Sequence, residues 1–158
     1  MRLTYTKLCP MELVIYIHIL SATAWVGGSL LLFTLGITIR DKEAQKNVYK
    51  HIGPLYGYFE TFWLITLWIT GIILYEHHGF SGVFKYAYDS LLSQTMIIKV
   101  YFVMFLTFVT LIHLVIAFKT HQKERSKFLT IISRGSSMMI FLLNFVVLWF
   151  AISVRSQL

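Results

Sequence analysis

A single cysteine, Cys9, stands in a chain of 158 residues, so no intramolecular disulfide can staple the fold. Charge is scarce as well. Only 13% of the residues are Asp, Glu, Lys or Arg, about half of the roughly 25% found in soluble domains, which leaves little polar surface to coat a water-soluble globule. Internal repeats, glycine-rich nucleotide-binding motifs and catalytic-triad patterns are also lacking.

Apolar sequence is what the chain has in excess, at 57% of residues. It falls in four blocks, Leu13–Ile39, Leu55–Tyr75, Met96–Phe118 and Met138–Val154. The first three exceed the roughly 20 residues needed to cross a hydrocarbon core of about 30 Å. The fourth is shorter and lengthens backwards through Phe128-Leu129-Thr130-Ile131-Ile132. The expectation is an all-α integral membrane four-helix bundle, one domain over 1–158, with spans near 13–39, 55–75, 94–118 and 130–154.

The net charge of +7 does not point to nucleic acid, because the cations sit at span ends, where they set topology. Four spans put both termini on the side of the second loop, with Arg2, Lys7, Lys85 and Arg155. Loops one and three carry Arg40, Lys42, Lys46, Lys50, Lys119, Lys123, Arg125, Lys127 and Arg134. This asymmetry predicts loops one and three in the cytoplasm and N- and C-termini outside, in the periplasm of a bacterial inner membrane. Arg2 and Lys7, then Leu13–Leu20 and Ala22-Thr23-Ala24, imitate a cleavable signal peptide, but the apolar sequence runs on to Ile39, too far for one.

Between the spans, Arg40–Lys50 is polar and helix-permissive, and reads as an extension of span one or an interfacial segment. Gly53-Pro54 reads as the start of span two, with Pro54 in a first turn. Glu76–Ser90 is rich in glycine and aromatics (Phe80, Phe84, Tyr86, Tyr88) and reads as interfacial, with tyrosines at headgroup level.

Polar residues inside spans are costly and usually face the bundle interior. His18 lies in the outer part of span one, and Ala22, Trp25, Ser29 and Gly36 follow on its face. Small residues there either form a packing seam or leave room for a flat cofactor. On span three, Lys99 and His113 are fourteen residues apart on one stripe, about 21 Å along the axis. That spacing resembles the one between stacked hemes in membrane cytochromes b, although Lys stands at position 99 and span one has no inner histidine. A neutral imidazole beside an ammonium suits a cofactor or proton-handling site, whereas a lysine this near a helix end can also snorkel to the interface. His51 lies just outside span two on the cytoplasmic side, Glu60 near its inner end, and His77-His78 at its outer end. Asn144, in mid-span four, predicts an interhelical hydrogen bond. Cys9, Met11, Met96, Met104, Met138 and Met139 are the thiol and thioether groups that a copper(I) path would use, but no two internal methionines are spaced as Met-x-x-Met or Met-x-x-x-Met.

The segment Ile17-His18-Ile19-Leu20-Ser21-Ala22-Thr23-Ala24-Trp25-Val26-Gly27-Gly28 resembles the opening helix of the copper-resistance D (CopD) domain superfamily, which is related to the HemJ-type protoporphyrinogen oxidases. Lys99 with His113 is similar to the Lys…His pattern of the corresponding HemJ helix, and Trp68-Ile69-Thr70-Gly71 is similar to the close of the second helix in both groups. Where HemJ continues from its tryptophan into a Leu-Pro-Arg-Leu-Phe type sequence, this chain has Ser29-Leu30-Leu31-Leu32-Phe33-Thr34, which leans toward CopD. The resemblance implies a heme b-binding membrane protein, carrying electrons or acting on a quinone or tetrapyrrole in the manner of a protoporphyrinogen oxidase. His18 and Lys99 would bind the cofactor, with His113 and His51 as further candidates and His18 and His113 as possible iron or copper ligands. Other readings are a copper uptake or resistance protein without heme and a non-catalytic assembly subunit. Lipid, a redox protein and a second copy of the chain are the partners considered; Gly27-Gly28 and Gly36 would suit a homodimer or an internal contact.

Overall fold

The computed structural model describes residues 10–86, 88–119 and 127–157. They form five helices: α1 (Pro10–Thr38), α2 (Lys42–His77), α3 (Phe80–Tyr86), α4 (Leu91–Lys119) and α5 (Lys127–Arg155). The chain before residue 10, with Arg2, Lys7 and Cys9, lies outside the described residues, as do Lys123 and Arg125. Four of the helices are long and apolar enough to cross a membrane: α1, α2, α4 and residues Ile131–Arg155 of α5.

α1 and α4 are apolar on nearly every side, as expected where the surroundings are lipid rather than water. Large apolar side chains stay exposed along the outward faces, among them Phe62, Ile65, Ile69 and Ile72 on α2 and Tyr101, Phe105, Phe108 and Leu111 on α4. On a soluble monomer such a belt would be an aggregation surface. A helix that satisfies its own backbone is a structure a bilayer accepts. The chain is therefore a multi-pass membrane protein.

α1 packs on α2 and α5, and α4 on α5 and α2, while α1 and α4 do not touch. The order around the bundle is thus α1–α2–α4–α5, with α1 diagonally opposite α4. Leu106, Val109, Ile140 and Leu143 form the core between α4 and α5, and Phe33 stacks on Phe141 at 4.3 Å between α1 and α5. Between α1 and α2 the approach is close at Gly28, where a Cβ would lie 2.9 Å from Tyr56 Cε2. Trp25, Ser29 and, in place of Ala22, Ser21 are the buried residues of the α1 seam. Gly28 and Gly36 face Tyr56 and Tyr49 of α2, so both serve an internal contact; Gly27 has nothing within 4 Å of the position of a Cβ.

Two expectations about the connections are corrected. Of the two readings of Arg40–Lys50, the extension of span one does not hold. The helix breaks over 39–41, and the Asp41 carboxylate accepts from Glu43 N and Ala44 N at 3.2 and 3.3 Å, so Asp41 caps a new helix at Lys42. Span two consequently starts about three turns early, and Pro54 sits inside α2 rather than in its first turn. Its missing N–H deprives the Lys50 carbonyl of its usual donor, at a point beyond the apolar run. At the other end, Gly79 turns the chain at φ 69° into the short α3. Phe80 is buried there with Met96 and Val154 and plugs the outer end of the bundle, whereas Tyr86 and Tyr88 are exposed.

Candidate functional site

The outer half of the bundle places His18 of α1 against Thr70 of α2. Thr70 Oγ1 lies 2.8 Å from His18 Nδ1 and 2.7 Å from the Thr66 carbonyl oxygen. Two oxygens at 2.7 Å need a hydrogen between them, so the threonine hydroxyl donates to Thr66. The contact with His18 then requires the imidazole to donate its Nδ1–H to Thr70, which leaves the ring lone pair on Nε2. Gly71 flanks the same ring; a Cβ there would lie 3.5 Å from His18 Cε1. Lys99, half-buried on α4, acts electrostatically on the ring from across the bundle. The two residues singled out from sequence are thus brought to one outer region from diagonal helices.

Two turns inward from His18 on the same stripe, Trp25 is 3% exposed and its Nε1–H has no hydrogen-bond partner among the described residues. A buried donor left unmet costs about 1–3 kcal/mol. The outer half thus holds an imidazole with its lone pair on Nε2 and a lysine on the diagonal helix, and the unmet indole N–H lies about 10 Å further in along α1. Among the described residues no three His, Cys, Asp or Glu side chains come together.

The inner half carries a second polar cluster, drawn from all four long helices. Asn144 of α5 donates from Nδ2 to Ser29 Oγ of α1 at 2.9 Å, the interhelical bond expected of it. His113 of α4 pairs through Nδ1 with Ser136 Oγ of α5 at 2.9 Å. A small cavity lies here, lined by Ser29, Tyr56, Glu60, His113 and Ser137 with Leu32 and Ile140. It offers about 10 Å³ to the centre of a water molecule, about enough for one water. Glu60 is 4% exposed. His113 therefore does not join His18; it belongs to the inner cluster and lies about 21 Å of helix rise from Lys99 along α4.

The remaining described histidines, His51, His77 and His78, join neither site. His51 is exposed and bonds back to Asn47 O at 2.8 Å. His77 and His78 are exposed, with rings 5.5 Å apart and nearly perpendicular, and His78 Nδ1 bonds to Leu74 O. The methionines do not converge: Met96 is in the outer core, while Met104, Met138 and Met139 are exposed.

Sequence reasoning missed Thr70, Ser136, Tyr56 and Ser137 as partners, and did not set Glu60 beside His113. Thr70 stood in a noticed motif, but which helix it faces is a tertiary fact. No protein-family model matches the chain, and neither a curated protein nor a solved structure matches it.

Proposed function

We propose that this chain is a heme b-binding protein of a bacterial cytoplasmic membrane, which carries electrons or performs a redox step on a quinone or tetrapyrrole. Its segments 40–50 and 119–135 lie on the cytoplasmic side and its termini on the outer side, as the nine cations of loops one and three argue against four on the other side. The observation that carries the heme reading is the hydrogen bond from His18 Nδ1–H to Thr70 Oγ1. A second partner that fixes tautomer and ring orientation is what a ligating histidine ordinarily has, and it keeps Nε2 ready as a donor.

In this reading His18 supplies the axial nitrogen from α1. Lys99 stands opposite as a second ligand or as the cation that pairs with a propionate. Heme b would supply one-electron chemistry, and the protein's part is to bind, orient and set the dielectric around it. Gly71 flanks the His18 ring, where a Cβ would lie 3.5 Å from Cε1.

The reading is tested by titrating hemin into the detergent-purified apoprotein and counting bound heme by pyridine hemochrome. Saturable binding at a fixed stoichiometry, weakened in Lys99→Ala, is expected. Failure to bind hemin in a folded preparation overturns it.

A further inference from the structure

We propose that Glu60 and His113 form a proton-binding site in the inner half of the bundle, with one proton exchanged between the pair and solvent through a water in the cavity they line. The site is separate from that of His18 and does not rest on the heme reading.

The argument begins with Glu60. Its side chain is 4% exposed, and no hydrogen bond or ion pair joins it to another described residue. An isolated carboxylate inside an apolar bundle costs far more than the fold can sustain. Glu60 therefore carries a proton or faces a cation. The groups around it are few. Its own helix offers Tyr56, which it acts on electrostatically. From α1 comes Ser29, from α4 His113, and from α5 Ser137, with Ile140 beside it. The nearest lysine or arginine on α5 toward the loop is Arg134, which is exposed and acts on Tyr49, about two turns before Tyr56 on α2. His113 is thus the one basic side chain on the cavity wall.

Charge counting gives the stoichiometry. Carboxylate plus neutral imidazole is a net negative pair in a low-dielectric core. One added proton makes the pair neutral, either as carboxylic acid with imidazole or as carboxylate with imidazolium. The neutral pair is the affordable state in such a medium, and the two protonation forms titrate as a unit. Ser29, Ser137 and the Tyr56 hydroxyl supply polar partners for a cavity water, which would move the proton between the two side chains. In the proposal the proton comes from bulk water and returns to it, with no other co-reactant. Ser136 holds the imidazole by Nδ1 while the ring stays on the cavity wall.

The test is infrared difference spectroscopy of the full-length protein in nanodiscs, titrated across about pH 4 to 10. A carboxylic-acid C=O band that rises and falls with pH is expected. It is lost in Glu60→Gln, moved in frequency in Glu60→Asp, titrates with a midpoint changed by about one pH unit in His113→Gln, and is unaltered in His78→Ala, a substitution of an exposed histidine. Should Glu60→Gln fail to fold, the Glu60→Asp frequency decides. The proposal is overturned if no pH-dependent acid band responds to substitution of Glu60. It is also overturned if the band follows sodium concentration instead of pH, which would make this a sodium site, or if His113→Gln leaves the midpoint where it was.

Discussion

His18 and Thr70, fifty-two positions apart in sequence, meet at 2.8 Å between Nδ1 and Oγ1. The bond crosses from α1 to α2 in the outer half of the bundle and fixes which ring nitrogen carries the proton. Thr70→Val keeps the shape and removes the acceptor. Heme affinity is expected to fall by about 10- to 100-fold, read by hemin titration, whereas Thr70→Ser retains it. Equal affinity in Thr70→Val and the parent would remove Thr70 from the account.

The Asn144–Ser29 bond ties α5 to α1 in the inner half. Interhelical side-chain bonds in membranes contribute about 0.6 kcal/mol on average, and at most about 1.7. Asn144→Leu is expected to destabilise the bundle within that range, as measured by unfolding in mixed micelles. Changes of several kcal/mol would mean that Asn144 holds more than Ser29.

Gly27 and Gly28 are neighbours with opposite surroundings. A Cβ at Gly28 meets Tyr56 at 2.9 and 3.1 Å, and at Gly27 it meets nothing. Gly28→Ala is expected to cost about 1–3 kcal/mol by overpacking. Gly27→Ala should be neutral or stabilising by up to about 1 kcal/mol, since alanine favours helix. The same unfolding assay measures both. Because Tyr56 lines the inner cavity, Gly28→Ala should also disturb the Glu60 infrared band.

Topology is checked with single cysteines in a Cys9→Ser background. Asp41→Cys is expected to react with a membrane-impermeant thiol reagent only when the cytoplasmic face is opened, and Gly79→Cys from outside in intact cells. Labelling of both positions from one side would contradict the four-span arrangement.

Much of the fold was legible because apolar runs of membrane length leave little choice. The four blocks became α1, α2, α4 and α5, and the short fourth block extends backwards to Lys127 as its flanking residues suggested. Helix ends were harder. Residues 42–46 favour helix equally well on either side of a break, and Asp41, an N-cap residue, was the overlooked signal. Pro54 was misread because the apolar run starts beside it, whereas the helix is set by the cap three turns earlier. Phe80 looked interfacial by composition; its burial depends on α3 folding back over Met96 and Val154. In the sites, helix phase could place His18 and Lys99 at similar depth. It could not reveal that Glu60 and His113 share a cavity, because the rotation of α2 relative to α4 is set by packing.

The most direct test is the dithionite-reduced minus oxidised visible spectrum of the purified protein from heme-replete cells, recorded for the parent chain and for His18→Gly with and without added imidazole. The account expects a sharp b-type α-band in the parent, its loss in His18→Gly, and its return when imidazole replaces the missing ring. A parent spectrum without the band, or a His18→Gly spectrum equal to the parent's, would contradict the assignment of His18 as heme ligand.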